Sequence, residues 1–500
     1  MLKTTNHLLH IATFGMVCIF GDYGVEEILT VAVCIMGSWA VSHIGLSLAA
    51  GRRSAEIGAL SIGIVMLYWI AYVTKLGLGM LLSDQYWVVP KLISNEALVR
   101  GMPGAFVIAT IGYLALMTAV LTFPLRTGFG WEIPEFRPRI RLLSVLLPLV
   151  LVGKYILKVQ FNLGIPGVDP LYLGIPYLAG LLAFVIDSGF VFVSNILLFC
   201  GLALGRPKLM LYGLLLGFTN AGIDLRFGSK DTAMYQLAIV AAYLAIARYS
   251  AGTKAANFRK TAMIAVTALA VFGIAVIGAY KFFNSFRFAM LMEGHAGLSA
   301  AIDTALFNKS ADSSNSVMEI YNRITGLETL AAIMHLREAL AAGGSVAGMF
   351  DGSIMQNLIY YVFGTTDVKT AFSITEFGNF YLSGGLLGLV LGSLVLGYCF
   401  CLLQYQVLRM RIHRAMTLAF LPPLWILFVF RLLGGGEMIL WLKEVGVVVA
   451  TFYFTARIVC PGCLSRLPGR YSPAPTVLAS KPKNAVSCHT PAFARTEPHS

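Results

Sequence analysis

The stretch FGNFYLSGGLLGLVLGSLVLGYCFCLLQ, which runs from Phe377 to Gln404, contains no charged side chain. A helix of about 20 apolar residues is long enough to cross the hydrocarbon core of a bilayer, and this stretch exceeds that length. Directly before it lies a long polar region, residues 282–375, which is too polar to cross a bilayer. The contrast predicts a membrane-spanning helix joined to a large folded loop.

Similar apolar stretches recur along the chain, and the composition indicates that they are membrane spans. Only 12% of the 500 residues are charged, whereas a soluble domain has about 25%. We therefore predict an all-α, polytopic integral membrane protein with about 12 transmembrane helices and one large helical outer loop. The predicted spans are 7–21, 28–50, 57–80, 104–124, 142–161, 176–204, 208–224, 232–249, 261–281, 377–404, 415–432 and 438–456.

The basic residues predict the orientation of these spans. If Lys3 lies in the cytoplasm and the spans alternate, every short basic cluster falls on the cytoplasmic side, as the positive-inside rule requires. Both termini are then cytoplasmic, and residues 282–375 lie outside. The clusters are Arg52 and Arg53; Arg126, Arg137, Arg139 and Arg141; Arg206 and Lys208; Lys254, Arg259 and Lys260; and Arg409, Arg411 and Arg414.

This distribution also explains the formal net charge of +13, which does not indicate a nucleic-acid partner because the basic residues lie between apolar stretches. Residues 1–457 are predicted to form the membrane domain. Residues 458–500 are rich in Pro, Ser, Lys and Arg and predict a disordered cytoplasmic tail.

The polar region 282–375 has the pattern of folded helices. Ser316 and Glu319 have the spacing of a helix capping box. Apolar residues then recur at helical spacing, which predicts a helix with one apolar stripe that lies along the membrane surface or covers a cavity. The stripe consists of Ile320, Ile324, Leu327, Leu330 and Met334.

Two cations lie in a short outer connection, Gly222–Asp231, where the positive-inside rule disfavours them. One interpretation of Arg226 and Lys230 is an anion site, because the guanidinium fork of arginine matches phosphate oxygens. The alternative is local pairing with Asp224 and Asp231.

Arg323 and Arg287 are further candidate cations in the outer loop. Arg323 lies four residues after Glu319, so it either forms an ordinary helix-surface pair with that residue or faces the same ligand as Arg226.

Asp187 lies inside an apolar run, which indicates either a functional intramembrane acid or a buried partner for a lysine or arginine. The possible partners of Asp187 are Lys154, Lys158 and Arg431.

Three features together resemble the oligosaccharide repeat-unit polymerases of bacterial surface polysaccharide assembly, the O-antigen or Wzy-type family. One is the basic outer turn from Arg226 to Lys230, followed at once by another span. The second is the large outer loop with Arg323 on a helix. The third is the segment from Phe377 to Gly388, which is similar to the family pattern G-x-x-Y-x-x-x-G and includes Tyr381.

The resemblance implies a glycosyltransferase in the bacterial cytoplasmic (inner) membrane. Donor and acceptor would both be oligosaccharides linked to undecaprenyl diphosphate, with membrane lipid, a chain-length regulator and a flippase as partners. No cofactor, metal or nucleic acid is implied. Arg226 and Arg323 would stabilise the departing diphosphate. The remaining roles are a base for the acceptor hydroxyl, for which Glu328, Glu376 and His335 are alternatives, and substrate binding by Lys230, Arg287 and Tyr381.

Two other functions fit the same outline. An O-antigen ligase would share the architecture and the donor but use a different acceptor. A lipid-linked oligosaccharide flippase or secondary transporter would explain charges such as Asp187, Lys154 and Lys158 within spans. A transporter should be sensitive to substitution of these charges, and a polymerase to substitution of the outer basic residues.

The predicted topology has a direct test. Reporter fusions made after Arg259 and after Ser313 should report opposite sides of the membrane, because one predicted span separates them. The same side for both fusions would contradict the topology and the functional interpretation built on it.

Overall fold

The computed structural model describes a helical protein. It describes residues 2–21, 23–50, 55–81, 94–123, 139–163, 181–183, 185–227, 231–250, 263, 267, 270–271, 326–335, 375–409, 414–434 and 438–459. Within these residues the secondary structure is helical and no strand occurs. The helices are α1 Leu2–Phe20, α2 Val25–Ala50, α3 Ala55–Tyr68, α4 Thr74–Leu81, α5 Asn95–Thr122, α6 Ile140–Phe161, α7 Phe190–Ala203, α8 Pro207–Arg226, α9 Asp231–Ser250, α10 Leu327–His335, α11 Glu376–Arg409, α12 Arg414–Gly434 and α13 Met438–Val459.

Helices coincide with the predicted apolar segments, except that 261–281 lies largely outside the described residues. Five helical stretches are long and apolar enough to cross a membrane. These features fit an all-α membrane protein, while the number of spans stays a prediction. The five stretches are Val25–Leu48, Leu60–Leu81, Glu96–Thr122, Ile140–Phe161 and Glu376–Val407.

Helix contacts define how the bundle is built. α5 packs against α2, α10 and α11, and α7 packs against α6, α8 and α9. α12 connects these two groups, because it contacts α3 and α11 as well as α7, α9 and α13. Aromatic rings fill part of this junction, where Phe420 of α12 stacks on Phe452 of α13 with ring centroids 4.1 Å apart.

A π-helical turn, Trp69–Val73, joins α3 to α4. Such turns contain one extra residue and occur frequently at functional sites. Trp69 and Tyr72 are buried here, and the Trp69 indole donates to Asn6 Oδ1 of α1 at 3.1 Å. The turn therefore places the large side chains of Trp69 and Tyr72 in the interior of the bundle.

The apolar stretch Phe377–Gln404, predicted as one membrane span, is divided by a turn. Gly384 and Gly385 have non-helical dihedrals, and Gly385 has φ 60° and ψ −149°, a conformation that is essentially restricted to glycine. The carbonyl oxygen of Phe380 lies 2.7 Å from the position of a Cβ on Gly388. Residues eight positions apart in a straight helix are about 12 Å apart. The short helix 376–383 thus folds back against the long helix 386–409, and Gly388 permits the contact.

α10 is the described part of the predicted polar loop, and it packs within the bundle. Leu327 and Leu330, two members of the predicted apolar stripe, are fully buried. Ala331 lies against Gly101 of α5, and the Met334 methyl group lies against Gly104. Small residues on α5 thus let α10 approach closely. The first part of the predicted helix, 316–325, lies outside the described residues.

The docking of α10 on α5 predicts a disulfide. A Cβ built on Gly101 lies 3.6 Å from the Ala331 Cβ, within the range of about 3.5–4.5 Å found in disulfides. In a variant lacking the native cysteines, Gly101→Cys with Ala331→Cys should crosslink under mild oxidation, as measured by a gel shift after cleavage between the two sites.

The matched control combines Ala331→Cys with Gly15→Cys, because a Cβ on Gly15 meets nothing within 4 Å. This pair should remain reduced. Equal crosslinking of both pairs, or none in either, would contradict the docking of α10.

Candidate functional site

Arg226 is the last residue of α8, and its side chain is exposed. The guanidinium donates a hydrogen bond to the Tyr155 hydroxyl of α6. Its carbon lies 5.2 Å from the centre of the Tyr155 ring and 5.9 Å from that of Phe227. These distances are those of cation–π contacts, which orient the cation without neutralising it.

Asp224 is not the partner of Arg226, although the two residues are neighbours in sequence. The Asp224 carboxylate is fully buried and contacts two lysines of α6. Lys154 Nζ lies 2.7 Å from Asp224 Oδ2, and Lys158 Nζ lies 3.1 Å from Oδ1. Lys154 also donates to Asn220 Oδ1 at 2.8 Å. Arg226 therefore forms no ion pair with any carboxylate whose side chain the structure describes.

The Lys154–Lys158–Asp224 cluster places three charges where each is 0% exposed. Removing charges from water is costly unless opposite charges meet at close range, and the two lysines would repel each other without Asp224 between them. The sequence analysis singled out both lysines as partners of Asp187. The Asp187 side chain is outside the described part of the chain, and among the described side chains Asp224 is a carboxylate that contacts both lysines.

A second group of buried charges lies where α10 and α11 enter the bundle. Lys75 of α4 forms an ion pair and hydrogen bond with Glu328 of α10. Arg431 of α12 pairs with Glu376 of α11, with Arg431 Nε 3.1 Å from Glu376 Oε2 and Nη2 donating to Oε1 at 3.5 Å. Both pairs are nearly inaccessible to solvent.

Tyr72 and Thr375 connect these two pairs. The Tyr72 hydroxyl lies beside Thr375 and within electrostatic reach of Glu328. It makes no hydrogen bond of ordinary geometry, and neither does Glu328 Oε2, although both atoms are buried. Buried polar atoms usually have a partner, so two such atoms in one place require an explanation.

Thr375 carries backbone strain at this place. It is buried and has φ 56°, a conformation that is unusual for a β-branched residue and costs about 1–3 kcal/mol. Its hydroxyl accepts a hydrogen bond from the Gly378 backbone N–H at 3.1 Å, which caps the start of α11. The strain and the cap together fix the position of Glu376, the next residue.

Burial raises the pKa of Glu328 above its usual range, against the lowering effect of the adjacent Lys75 charge. A carboxylate in this situation is a stronger base than one in water. A raised pKa at a site with a specific charge partner is a property common to functional sites.

The structure describes five of the eight predicted site residues. Arg226, Glu328, Glu376, His335 and Tyr381 are described, whereas Arg323, Lys230 and Arg287 lie outside the described residues. His335 is exposed at the end of α10, and Tyr381 is partly buried on the short helix 376–383. The described contacts bring none of the predicted bases to Arg226, because Arg226 contacts α6 whereas Glu328 and Glu376 contact α4 and α12.

Sequence reasoning missed Lys75 and Tyr72 as members of the site. The signal for Lys75 was available, because a lysine within the apolar segment 57–80 is an intramembrane charge. Tyr72 gives no such signal in the sequence. Among the described residues, no group of three or more His, Cys, Asp or Glu side chains is arranged to hold a metal ion.

Comparisons of the chain with protein-family models, with curated proteins and with solved structures found no match. The function is therefore inferred from the geometry of Arg226 and of the two buried groups of charges.

The buried position of Asp224 predicts a large effect on stability. Asp224→Asn keeps the shape of the side chain but removes the charge that Lys154 and Lys158 contact, and breaking a buried ion pair in this way destabilises by about 3–5 kcal/mol. Thermal unfolding of the detergent-solubilised protein should show a clear loss of stability.

Glu96→Gln is the matched control, because the Glu96–Arg100 pair at 2.8 Å is largely exposed and such surface pairs contribute little. If both variants unfold at the same temperature as the unchanged protein, Asp224 does not neutralise the two lysines.

Proposed function

We propose that this protein is a membrane-embedded glycosyltransferase that polymerises lipid-linked oligosaccharide repeat units. It acts at the outer face of the bacterial cytoplasmic membrane, with about twelve spans and with both termini in the cytoplasm. The growing glycan leaves undecaprenyl diphosphate and joins a new lipid-linked repeat unit. A flippase supplies the repeat units, and a chain-length regulator acts with the polymerase.

The observation that carries this proposal is the state of Arg226. It is an exposed cation at the end of an apolar helix, without a described carboxylate, and it is held by the ring and hydroxyl of Tyr155. A departing diphosphate needs such a donor, because negative charge develops on it as the sugar–phosphate bond breaks. Arginine offers two parallel hydrogen bonds to phosphate oxygens.

The proposed topology places both groups of buried charges on one side of the membrane. In that topology the carboxyl-terminal ends of α4, α6, α8 and α12 and the amino-terminal end of α11 all face outward. Lys75, Lys154, Asp224, Arg431 and Glu376 lie near those ends. Both groups of buried charges thus fall in the outer half of the bundle, on the side of Arg226, where a lipid-linked diphosphate would be bound.

The glycine pattern of α11 supports the same function. Gly378, Tyr381 and Gly385 occupy a short helix and the turn that follows it, rather than a continuous span. Tyr381 lies five positions after Glu376 on this short helix. A substrate-binding role for Tyr381 is in keeping with this position.

A transporter is the second candidate, and one observation favours it. Ion pairs such as Lys154–Asp224 and Arg431–Glu376 are buried among apolar helices, and intramembrane charges commonly mark transport pathways. We prefer the glycosyltransferase because a transport pathway does not require the exposed Arg226. An O-antigen ligase would share Arg226 and differ in its acceptor.

The proposal predicts the effect of replacing the outer arginines. In a cell deleted for this gene, complementation with Arg226→Ala or Arg323→Ala should lower the polymerisation rate by about 10²–10³, the usual effect of losing one electrostatic donor. Lysine variants should recover only part of the activity, because a point charge cannot replace a bidentate fork. Polymer length is measured by gel and protein level by blot.

Arg457→Ala is the matched control. Arg457 also donates to a tyrosine hydroxyl, that of Tyr453 at 2.9 Å, and lies 5.0 Å from its ring centre, but the topology places it at the cytoplasmic end. Long chains in the Arg226→Ala and Arg323→Ala variants would contradict the proposal. Loss of even single repeat units at the surface would indicate a flippase.

A further inference from the structure

We propose that Glu328 accepts the proton of the acceptor hydroxyl and that Lys75 positions its carboxylate. This inference rests on the proposed function and deepens it. It selects one residue among Glu328, Glu376 and His335, between which the sequence does not decide.

In this structure, packing of α10 holds Glu328 against Lys75. α10 lies against small residues of neighbouring elements, where Ala331 meets Gly101 and Ile333 meets Gly378. A group held on a packed helix keeps its orientation better than one on a mobile loop. The first turn of α10 therefore presents Glu328 to Lys75 and Tyr72 in a defined geometry.

The two carboxylate oxygens of Glu328 have different environments. Oε1 contacts the Lys75 ammonium, whereas Oε2 is buried and receives no hydrogen bond. An ionised carboxylate oxygen in such a place lacks a donor that water would supply outside. The hydroxyl of an acceptor sugar is a donor of the required kind.

A second buried polar atom lies at the same place. The Tyr72 hydroxyl is buried, makes no hydrogen bond of ordinary geometry and has the side chain of the strained Thr375 as a polar neighbour. The carboxylate oxygen Glu328 Oε2 can accept a hydrogen bond, and the Tyr72 hydroxyl can both donate and accept one. A sugar hydroxyl can bind to such a pair of groups. Tyr72 thus orients the acceptor hydroxyl, and Glu328 receives its proton.

Glu376 Oε2 is likewise buried without a hydrogen bond, so the other two candidates differ from Glu328 in their neighbours and exposure. Both oxygens of Glu376 face the Arg431 guanidinium, at 3.5 Å and 3.1 Å. His335 is exposed at the other end of α10, two turns from Glu328. Glu376 therefore holds Arg431 in place, and His335 is too far from the buried hydroxyl of Tyr72 to act with it.

The step brings a donor bound at Arg226 to an acceptor bound at Glu328, two residues that the described contacts hold against different helices, α6 and α4. Its bonds and charges balance with these groups. The acceptor oxygen forms a bond to the anomeric carbon of the donor sugar, and the bond from that carbon to the diphosphate oxygen breaks. Its electron pair leaves with the diphosphate, and the hydroxyl proton passes to Glu328 Oε2. The proton is afterwards released to water. The contact of Lys75 with Oε1 holds the carboxylate in place during the transfer.

Access to Glu328 requires that α10 move, because the residue is only 2% exposed. The crosslink between Gly101→Cys and Ala331→Cys should therefore stop polymerisation, and a reducing agent should restore it. Full activity of the crosslinked protein would show that the acceptor does not reach Glu328.

The decisive experiment separates a catalytic role of Glu328 from a structural one. Glu328→Gln should reduce the rate of chain elongation by about 10²–10⁴, the usual contribution of a positioned base. Glu328→Asp keeps a base with a shorter reach and should recover part of the rate. Elongation is measured by pulse-labelling of surface polysaccharide, with protein level measured by blot.

The double variant Lys75→Gln with Glu328→Gln is the key control. It removes both charges together and can form a neutral amide pair, as Asn195 and Gln236 do here with two hydrogen bonds of 2.7 Å. A structural role predicts that this variant elongates chains normally. A base predicts that it is folded, as judged by protein level and thermal unfolding, but remains inactive.

The results distinguish this inference from the proposed function. If Arg226→Ala loses long chains while the double variant makes them, Glu328 is not the base and the polymerase proposal stands. Normal chains in Arg226→Ala and in Glu328→Gln would reject both. Glu96→Gln, an exposed acid of α5, should elongate chains normally in every case.

Discussion

An ionised side chain enclosed by apolar helices needs an opposite charge within contact distance, and this constraint determines which helices lie together here. Asp224 meets Lys154 and Lys158, Glu376 meets Arg431, and Glu328 meets Lys75. The contacts join α6 to α8, α11 to α12 and α4 to α10. In lipid, apolar surfaces give little preference for one neighbour over another, whereas a charge left without its partner is strongly destabilising. The buried charges therefore specify the assembly more sharply than the apolar faces do.

Close approach at glycines accompanies two of these ion pairs, Glu328–Lys75 and Glu376–Arg431. Gly101 and Gly104 leave room on α5 for α10, and without that room Glu328 would not reach Lys75. Gly388 admits the Phe380 carbonyl and so lets the short helix 376–383 fold back. That fold-back sets the start of α11, where Glu376 meets Arg431. Close packing at small residues thus brings the oppositely charged side chains into contact.

The sequence predicts the helices well because apolar length and helical spacing are local properties. It predicts the partners of the charges poorly because those contacts are made between distant parts of the chain. Lys75 and Glu328 are 253 positions apart, and no local pattern relates them. The turn at Gly384 and Gly385 was visible as a glycine pair, which is a turn signal, but the apolar residues on both sides favoured a single span. Glu328 and Glu376 were identified as candidate acids, and only the contacts of their oxygens separate their roles.

Two kinds of cation occupy the proposed outer half of the bundle. Lys154, Lys158 and Arg431 are buried, and each contacts a carboxylate, so their presence follows from packing. Arg226 is exposed and rests on an aromatic ring, an arrangement that also occurs at Arg457 with Tyr453. In the proposed topology Arg457 lies at the cytoplasmic end, where the positive-inside rule accounts for such an arginine. The same topology places Arg226 at the outer end, where that rule acts against it, and Tyr155 holds the guanidinium without neutralising it. The two arginines therefore share a local arrangement, and the proposed anionic ligand would account for the one at Arg226.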